Sequence, residues 1–154
     1  MGTGGFVDIC QNSKKAIFAG TLKAGGLKES VEGGTIRIRQ EGKFIKAVEK
    51  VPEITFNGRN AVARGQEVVI ITERAVFRLA EQGVVLTEIA PGMDLEQDII
   101  GQMAFRPIIS ENLKEMDHRL FQEEAMGCAE HSSIWNKLSG TPGERRNDHA
   151  GYVP

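Results

Sequence analysis

The amino-acid sequence predicts one strand-rich domain, with more sheet than helix, followed by an irregular tail. Three observations carry this. Val68-Val69-Ile70-Ile71-Thr72 is a continuous β-branched run, short enough for a strand buried on both faces. Around it, apolar segments of five or six residues recur between glycine-containing turns. After Ala125 the composition changes: Gly140, Pro142, Gly143, Glu144-Arg145-Arg146 and Asn147-Asp148 offer little to bury, and Trp135 is the residue of that region with most to bury. Residues 1–125 are therefore expected to form the domain, and residues 126–154 the irregular tail.

The chain opens on Gly2-Thr3-Gly4-Gly5-Phe6-Val7-Asp8-Ile9. Glycines here let the main chain reach positive φ and let a ligand approach bare N–H groups. A short helix beginning near Phe6 would aim those groups at one point, which suits an anion or an oxygen that becomes anionic during reaction. An ordinary tight turn is the alternative. With no strand or helix ahead of it to anchor the loop, the missing side is expected from a longer polypeptide or from another subunit. Lys15 to Leu22 follows as a compact apolar run, read as a buried strand.

Gly25-Gly26 and Gly33-Gly34 mark turns. Thr35 to Arg39 alternates as a half-buried strand with Arg37 and Arg39 outward, and Phe44 to Val48 is expected as its hairpin partner. Glu53 to Gly58 reads as a short extended piece ending in a turn, and Asn60 to Arg64 as a helical turn stopped by Gly65. Val68 to Thr72 is the expected central strand. Ala75 to Leu79 and Val84 to Ile89 form a hairpin across Glu81-Gln82-Gly83, and Pro91-Gly92 ends the sheet. Asp94 caps a helix over Leu95 to Met103, with Gln97 completing a capping box. Beyond Pro107, the spacing of Leu113, Met116, Leu120 and Phe121 suggests a loosely amphipathic turn or two.

Length and charge narrow the function classes. The chain has 154 residues, and its 19 Lys and Arg against 21 Asp and Glu give a net charge of −2, so charge alone recruits neither nucleic acid nor anionic lipid. No apolar run approaches a bilayer span, and no secretory leader pattern is present, so the chain reads as a soluble cytoplasmic protein. Cys10 and Cys128 lack a CxxC context and are expected as reduced thiols. Cys128 and His131 form a lone C-x-x-H pair, short of the four ligands of a metal site, and no metal is expected. A GxSxG elbow, a P-loop and a strand-borne GxGxxG are all absent.

The order of segments is more informative. GTGGFVDI at residues 2–9, the strand Ala16 to Ala19, ITERAVF at residues 71–77 and LTEIAPG at residues 86–92 together resemble the C-terminal end of family I CoA-transferases. The single-chain acetate, propionate and short-chain acyl-CoA transferases are the most similar group. The resemblance covers about residues 2–125 and is most specific in the pairing of GxGGFxDI with ITERAVF. It implies an α/β fold with an open mixed sheet, of which this chain would supply part. It also implies acyl-CoA and carboxylic acid substrates, with coenzyme A as a substrate and no permanently bound cofactor, in the setting of short-chain fatty acid or ketone body metabolism.

Such enzymes move CoA through a glutamyl-CoA thioester, and each acyl step develops an oxyanion. By the resemblance, Gly5 matches the glycine whose N–H serves that oxyanion, and Gly4 shapes the same loop. Lys23 falls near the CoA side, where the alternative is a solvated lysine at a strand end. Glu73 sits in a motif that reads as architectural. The family's nucleophilic glutamate has its own motif upstream of the glycine loop, and Glu29, Glu32, Glu49 and Glu53 do not substitute for it. The expected function is that of a C-terminal fragment or subunit, inactive alone and completed by the upstream portion or a second subunit, with homo-oligomerisation covering exposed sheet. The alternative is a non-enzymatic β-rich module that binds acyl-CoA, an anion or a protein partner.

Overall fold

The computed structural model describes residues 4–124 together with Met126. Its centre is a five-stranded open sheet in the order β1-β6-β7-β8-β9, formed by Lys15–Ala19 (β1), Glu67–Ile71 (β6), Ala75–Ala80 (β7), Gly83–Ile89 (β8) and Ile108–Glu115 (β9). β1 runs parallel to β6 and β9 parallel to β8, whereas β6, β7 and β8 form an antiparallel meander. The sheet is thus open and mixed, in a strand-rich α/β arrangement. Two small antiparallel pairs stand apart from it: β2 (Lys23–Ala24) with β5 (Phe44–Ile45), and β3 (Lys28–Glu32) with β4 (Thr35–Gln40).

The meander holds the core because its residues alternate between two covered faces. On one face Val69 and Val76 pack with Ile36, Ala90, Met116 and Phe121. On the other, Ala75, Phe77 and Leu86 pack with Leu22 and Ile99. Leu86 and Ile99 are fully buried, each worth about 1.5–3 kcal/mol relative to exposure. Between β6 and β7, Thr72 closes the turn with its own hydroxyl, which donates to the Ala75 carbonyl at 2.9 Å and accepts from the Ala75 N–H at 2.9 Å. β6 is an interior strand, as its sequence indicates, although β7 occupies the middle position. In the β7–β8 hairpin Gly83 pairs with Ala80, so the loop is the two residues Glu81-Gln82.

Several sequence expectations are corrected. β4 pairs with β3 across Gly33-Gly34, whose φ values of 59° and 78° suit a glycine turn, so Phe44-Ile45 is free to pair with Lys23-Ala24. Asn57-Gly58 starts a helix: Asn57 accepts from the Asn60 N–H at 3.1 Å and caps α2, Gly58–Ala63. Asp94 does cap the following segment, accepting from the N–H groups of Glu96 at 3.0 Å and Gln97 at 2.7 Å. The return bond to the Asp94 N–H comes from Asp98 at 2.8 Å, not Gln97, and the segment is a π turn (Leu95–Ile99) followed by a 3-10 turn (Ile100–Gln102). Residues 108–115 form the strand β9 instead of an amphipathic turn, while His118–Phe121 is a 3-10 turn capped by Asp117. β1 ends at Ala19 and is buried on one face only, with Ile17 56% exposed. The expectations for Cys128, His131, Trp135 and residues 140–151 lie outside the described residues.

Candidate functional site

The glycine stretch folds into the first turn of α1, Gly4–Asn12. The helix starts two residues ahead of the expected position near Phe6, so Gly4 and Gly5 belong to the helix, and neither adopts a positive φ. Both are exposed, and a Cβ built on either would meet nothing within 4 Å. The first N–H groups of a helix have no intrahelical acceptor, and the helix dipole favours negative charge beside them. At this end of α1 the first backbone donors are flanked by glycines with no side chain to cover them.

The other end of α1 is tightly held. Gln66 is buried, and its Nε2 donates to the Cys10 carbonyl at 2.6 Å and to the Ser13 carbonyl at 2.8 Å. Arg64 reaches the Gln11 carbonyl, and Asn12 Nδ2 folds back to the Asp8 carbonyl at 2.8 Å. Along the helix, the Phe6 ring lies 6.2 Å from that of Phe18 on β1, and Phe18 meets Phe56 edge-on at 5.2 Å. No residue of α1 is buried. Gln66 was not anticipated as an anchor, because nothing in a lone glutamine 56 positions from Cys10 signals the contact.

Lys23 lies on β2, partly buried, and its Nζ donates to Gln102 Oε1 at 2.9 Å. Gly4 and Gly5 share one turn, whereas Lys23 belongs to a different element with its ammonium committed to Gln102. The segment leading to Lys23 is positioned by a buried charge cluster. The Leu22 N–H donates to Glu73 Oε2 at 2.8 Å, while Glu73 Oε1 accepts from Arg74 Nε at 2.6 Å. The architectural reading of Glu73 is thereby given a structural content. Arg74 itself is fully buried, and it reaches Glu41 through Nη1 at 2.6 Å and Nη2 at 3.2 Å, and the Asp98 carbonyl through Nη1 at 3.1 Å. Burial works against the guanidinium charge, but bonds from Glu41 and then Glu73 outweigh it and raise the Arg74 pKa above its ordinary value. Arg74 is thus the residue of this region that sequence reasoning missed.

Beside this cluster lies an apolar cleft of about 190 Å³, lined by Leu22, Ile70, Phe77, Val84, Met103 and Phe105 together with Thr21 and Lys46. Lys46 Nζ donates to Thr21 Oγ1 at 3.1 Å. A wider depression of about 450 Å³ between α2 and the β7–β8 turn includes none of Gly4, Gly5 and Lys23. Among the described residues, no group of three or more His, Cys, Asp or Glu is placed to hold a metal ion, and no helix is long and apolar enough to cross a membrane.

No protein-family model matches the chain. Over 127 residues it is 56% identical to the acetate CoA-transferase YdiF of Escherichia coli (strain K12), an alignment covering 82% of this chain and 24% of that protein. Over 123 residues it is 43% identical to the caffeate CoA-transferase of Acetobacterium woodii, covering 80% of this chain and 23% of that protein. Among solved structures, the acyl-CoA transferase YdiF of E. coli O157:H7, in a thioester complex with CoA, superposes with a TM-score of 0.80 at 56% identity, over 82% of this chain and 25% of that one. The chain spans about a quarter of the length of the curated relatives it matches.

Proposed function

We propose that this chain, a segment homologous to CoA-transferases, is the C-terminal part of an acyl-CoA:carboxylate CoA-transferase and supplies the oxyanion donors of its active site. The substrates are an acyl-CoA and a short-chain carboxylic acid, with coenzyme A exchanged between them. Residues 1–125 belong to the transferase domain, and residues 126–154 are an appended tail. The nucleophilic glutamate comes from the remaining three quarters of such an enzyme, since no glutamate of this sequence stands in the family's motif. We place the complete enzyme in the cytoplasm as a homo-oligomer.

In the first half-reaction the glutamate carboxylate attacks the thioester carbonyl and expels CoA thiolate, forming a mixed anhydride. The thiolate then attacks the glutamyl carbonyl, releasing the free acid and leaving a glutamyl-CoA thioester, and an incoming carboxylate reverses both steps. Each attack places negative charge on a carbonyl oxygen, which fixed N–H groups stabilise more than they stabilise the neutral carbonyl. The Gly5 N–H, in the first turn of α1, donates to that oxygen. Gly4 keeps the approach open beside it. Lys23 meets the CoA side, exchanging its bond to Gln102 for one to the ligand.

The observation that carries this reading is the bareness of the turn: the fold requires glycine at position 5 neither for its φ nor for lack of space. The residue's smallness is therefore free to serve an approaching ligand. The test uses E. coli YdiF with its matching quarter replaced by this chain, assayed for CoA exchange between acetyl-CoA and labelled acetate, with the isolated chain as an inactive control. In that chimera Gly5→Val is expected to cut kcat by about 100-fold to 1,000-fold, the cost of one oxyanion donor, with an unchanged melting temperature. A folded variant with normal turnover would show that the turn is scaffolding. A folded chimera that exchanges no CoA would favour a binding module over an enzyme.

A further inference from the structure

The apolar cleft of about 190 Å³ shares a face and an end of the main sheet with the glycine turn. Residues directly opposite each other on neighbouring strands point to one face. Phe18 pairs with Ile70 and Ile70 with Phe77, so these three form a row, and Ile70 and Phe77 line the cleft. α1 lies on that same face, its Phe6 ring 6.2 Å from Phe18. The end follows from connectivity. α1 stops at Asn12, just ahead of β1, so the helix runs back against the strand, and its first turn stands near the carboxyl end of β1. Thr21 and Leu22, which leave that end, reach the cleft. Gly5 adjoins Phe6 in the chain, so the Phe6–Phe18 contact joins the glycine turn to the cleft.

The walls of the cleft are tied together. The Ala104 N–H donates to the Ala47 carbonyl at 2.9 Å, linking the loop of Lys46 and Ala47 to the loop of Met103 and Phe105. Of the two hydroxyls that line it, Thr72 is spent on Ala75, and Thr21 accepts from Lys46 Nζ at 3.1 Å. The Lys46 ammonium lies close over Gly20, where a Cβ would stand 3.4 Å from it, and it pairs with no carboxylate among the described residues. An apolar chamber with one uncompensated cation at its rim matches an aliphatic carboxylate, whose tail leaves water while its head keeps a charged partner. A methylene takes about as much room as a water molecule, about 30 Å³. The cleft therefore accommodates about six such groups, far more than the methyl of acetate.

We infer that this cleft is the acyl pocket of the enzyme and that its preferred substrates carry an apolar acyl tail longer than acetyl. Ala47 and Val84 set the length it accepts, and Lys46 meets the carboxylate of the free acid as it enters. This rests on the function proposed above. The tail lies over Ile70 and Phe77, and its carbonyl end points back past Phe18 to the glycine turn, where the oxyanion develops. Each further methylene that the cleft takes from water gains about fourfold in kcat/KM.

Two measurements test it. In NMR spectra of the chain, hexanoate should shift the methyl signals of Ile70, Val84 and Met103 saturably, and acetate should not. In the YdiF chimera, with labelled acetate as the common acceptor, Ala47→Phe and Val84→Phe each put a ring into the cleft, one from the loop and one from the sheet. Each should lower the ratio of kcat/KM for hexanoyl-CoA to that for acetyl-CoA by at least about 10-fold, the worth of one lost methylene site, with the melting temperature as the check on folding. An unchanged ratio in an active chimera whose two variants are folded would overturn the pocket and leave the proposed function standing. Saturable hexanoate binding by the chain, abolished by Ala47→Phe, beside a folded chimera that exchanges no CoA, would do the reverse: the cleft would stand as a carboxylate site and the transferase reading would fall. If the chimera does not fold, binding by the chain decides, and hexanoate shifts no larger than those of acetate overturn the pocket.

Discussion

Arg74 and the glycine turn of α1 are opposites in how completely the chain satisfies them. Arg74 has no exposed surface, and its three nitrogens are bonded to two carboxylates and a carbonyl. A side chain added at Gly4 or Gly5 would meet no other described residue, on a helix with no buried residue. The first region is finished within these residues. The second is firmly held at its far end by Gln66 and bare of side chains at Gly4 and Gly5. The chain spans about a quarter of its relatives' length, and the proposed function assigns its substrate-facing work to the less satisfied of the two regions.

The sharpest test of that contrast is Arg74→Met. Removing the cation strands Glu73, whose side chain is 10% exposed, beside a second carboxylate, and breaking a buried pair in this way costs about 3–5 kcal/mol. Urea denaturation of the chain should show it as a lower midpoint; a loss below about 1 kcal/mol would mean that the cluster is not a structural keystone. Asp94→Ala comes next, since it deletes both side-chain cap bonds to Glu96 and Gln97, at about 1 kcal/mol. On the open side the sign reverses. Gly4→Ala and Gly5→Ala should raise the stability of the isolated chain by up to about 1 kcal/mol each, because alanine loses less backbone entropy than glycine in a helix. A loss on either substitution would reveal a contact that the turn makes with its own chain.

The smallest effect belongs to Asp117. The Arg119 side chain first, and its N–H second, hold the Asp117 carboxyl at about 2, below the ordinary 3.8. A depressed carboxylate pKa stabilises the fold above the unfolded value and loses that contribution as pH falls through the folded one. The pair is exposed, so the stability change is slight, and the direct check is an NMR titration with a midpoint near 2. A midpoint near 3.8 would show that the pair does not persist in solution.

Much of the sheet is legible in the sequence because β6, β7 and β8 owe their existence to apolar residues with the right period and to turns that name themselves. β3 does not announce itself: Lys28-Glu29-Ser30-Val31-Glu32 is almost entirely polar and is held by backbone bonds to β4 and by Arg39 reaching Ser30 and Glu32. β9 is hidden for a related reason. Ile108, Ile109 and Leu113 carry its apolar content with a polar stretch between them, because only part of the strand lies against the core. At the site, Gly4 and Gly5 are visible as composition, but the burial of Arg74 is not, since its partners Glu41 and Asp98 are 33 and 24 positions away. Long-range polar contacts leave no local pattern to read.

The parallel pairing of β1 with β6 also orders events in time. Ala16 meets Val68 only after the chain between them, on the order of fifty residues, has been drawn into a loop, whereas β6, β7 and β8 close through turns of a few residues. The meander is therefore the part expected to assemble first, with β1 docking onto it late and bringing α1 along. Pulse-labelled refolding would register this as delayed protection of the Ala16 and Phe18 amides relative to those of β7, and simultaneous protection would show that the sheet closes as one unit. A strand that arrives last remains unpaired for longest while the chain folds, so the interval before β1 docks is when β6 offers its own open edge to association with other chains.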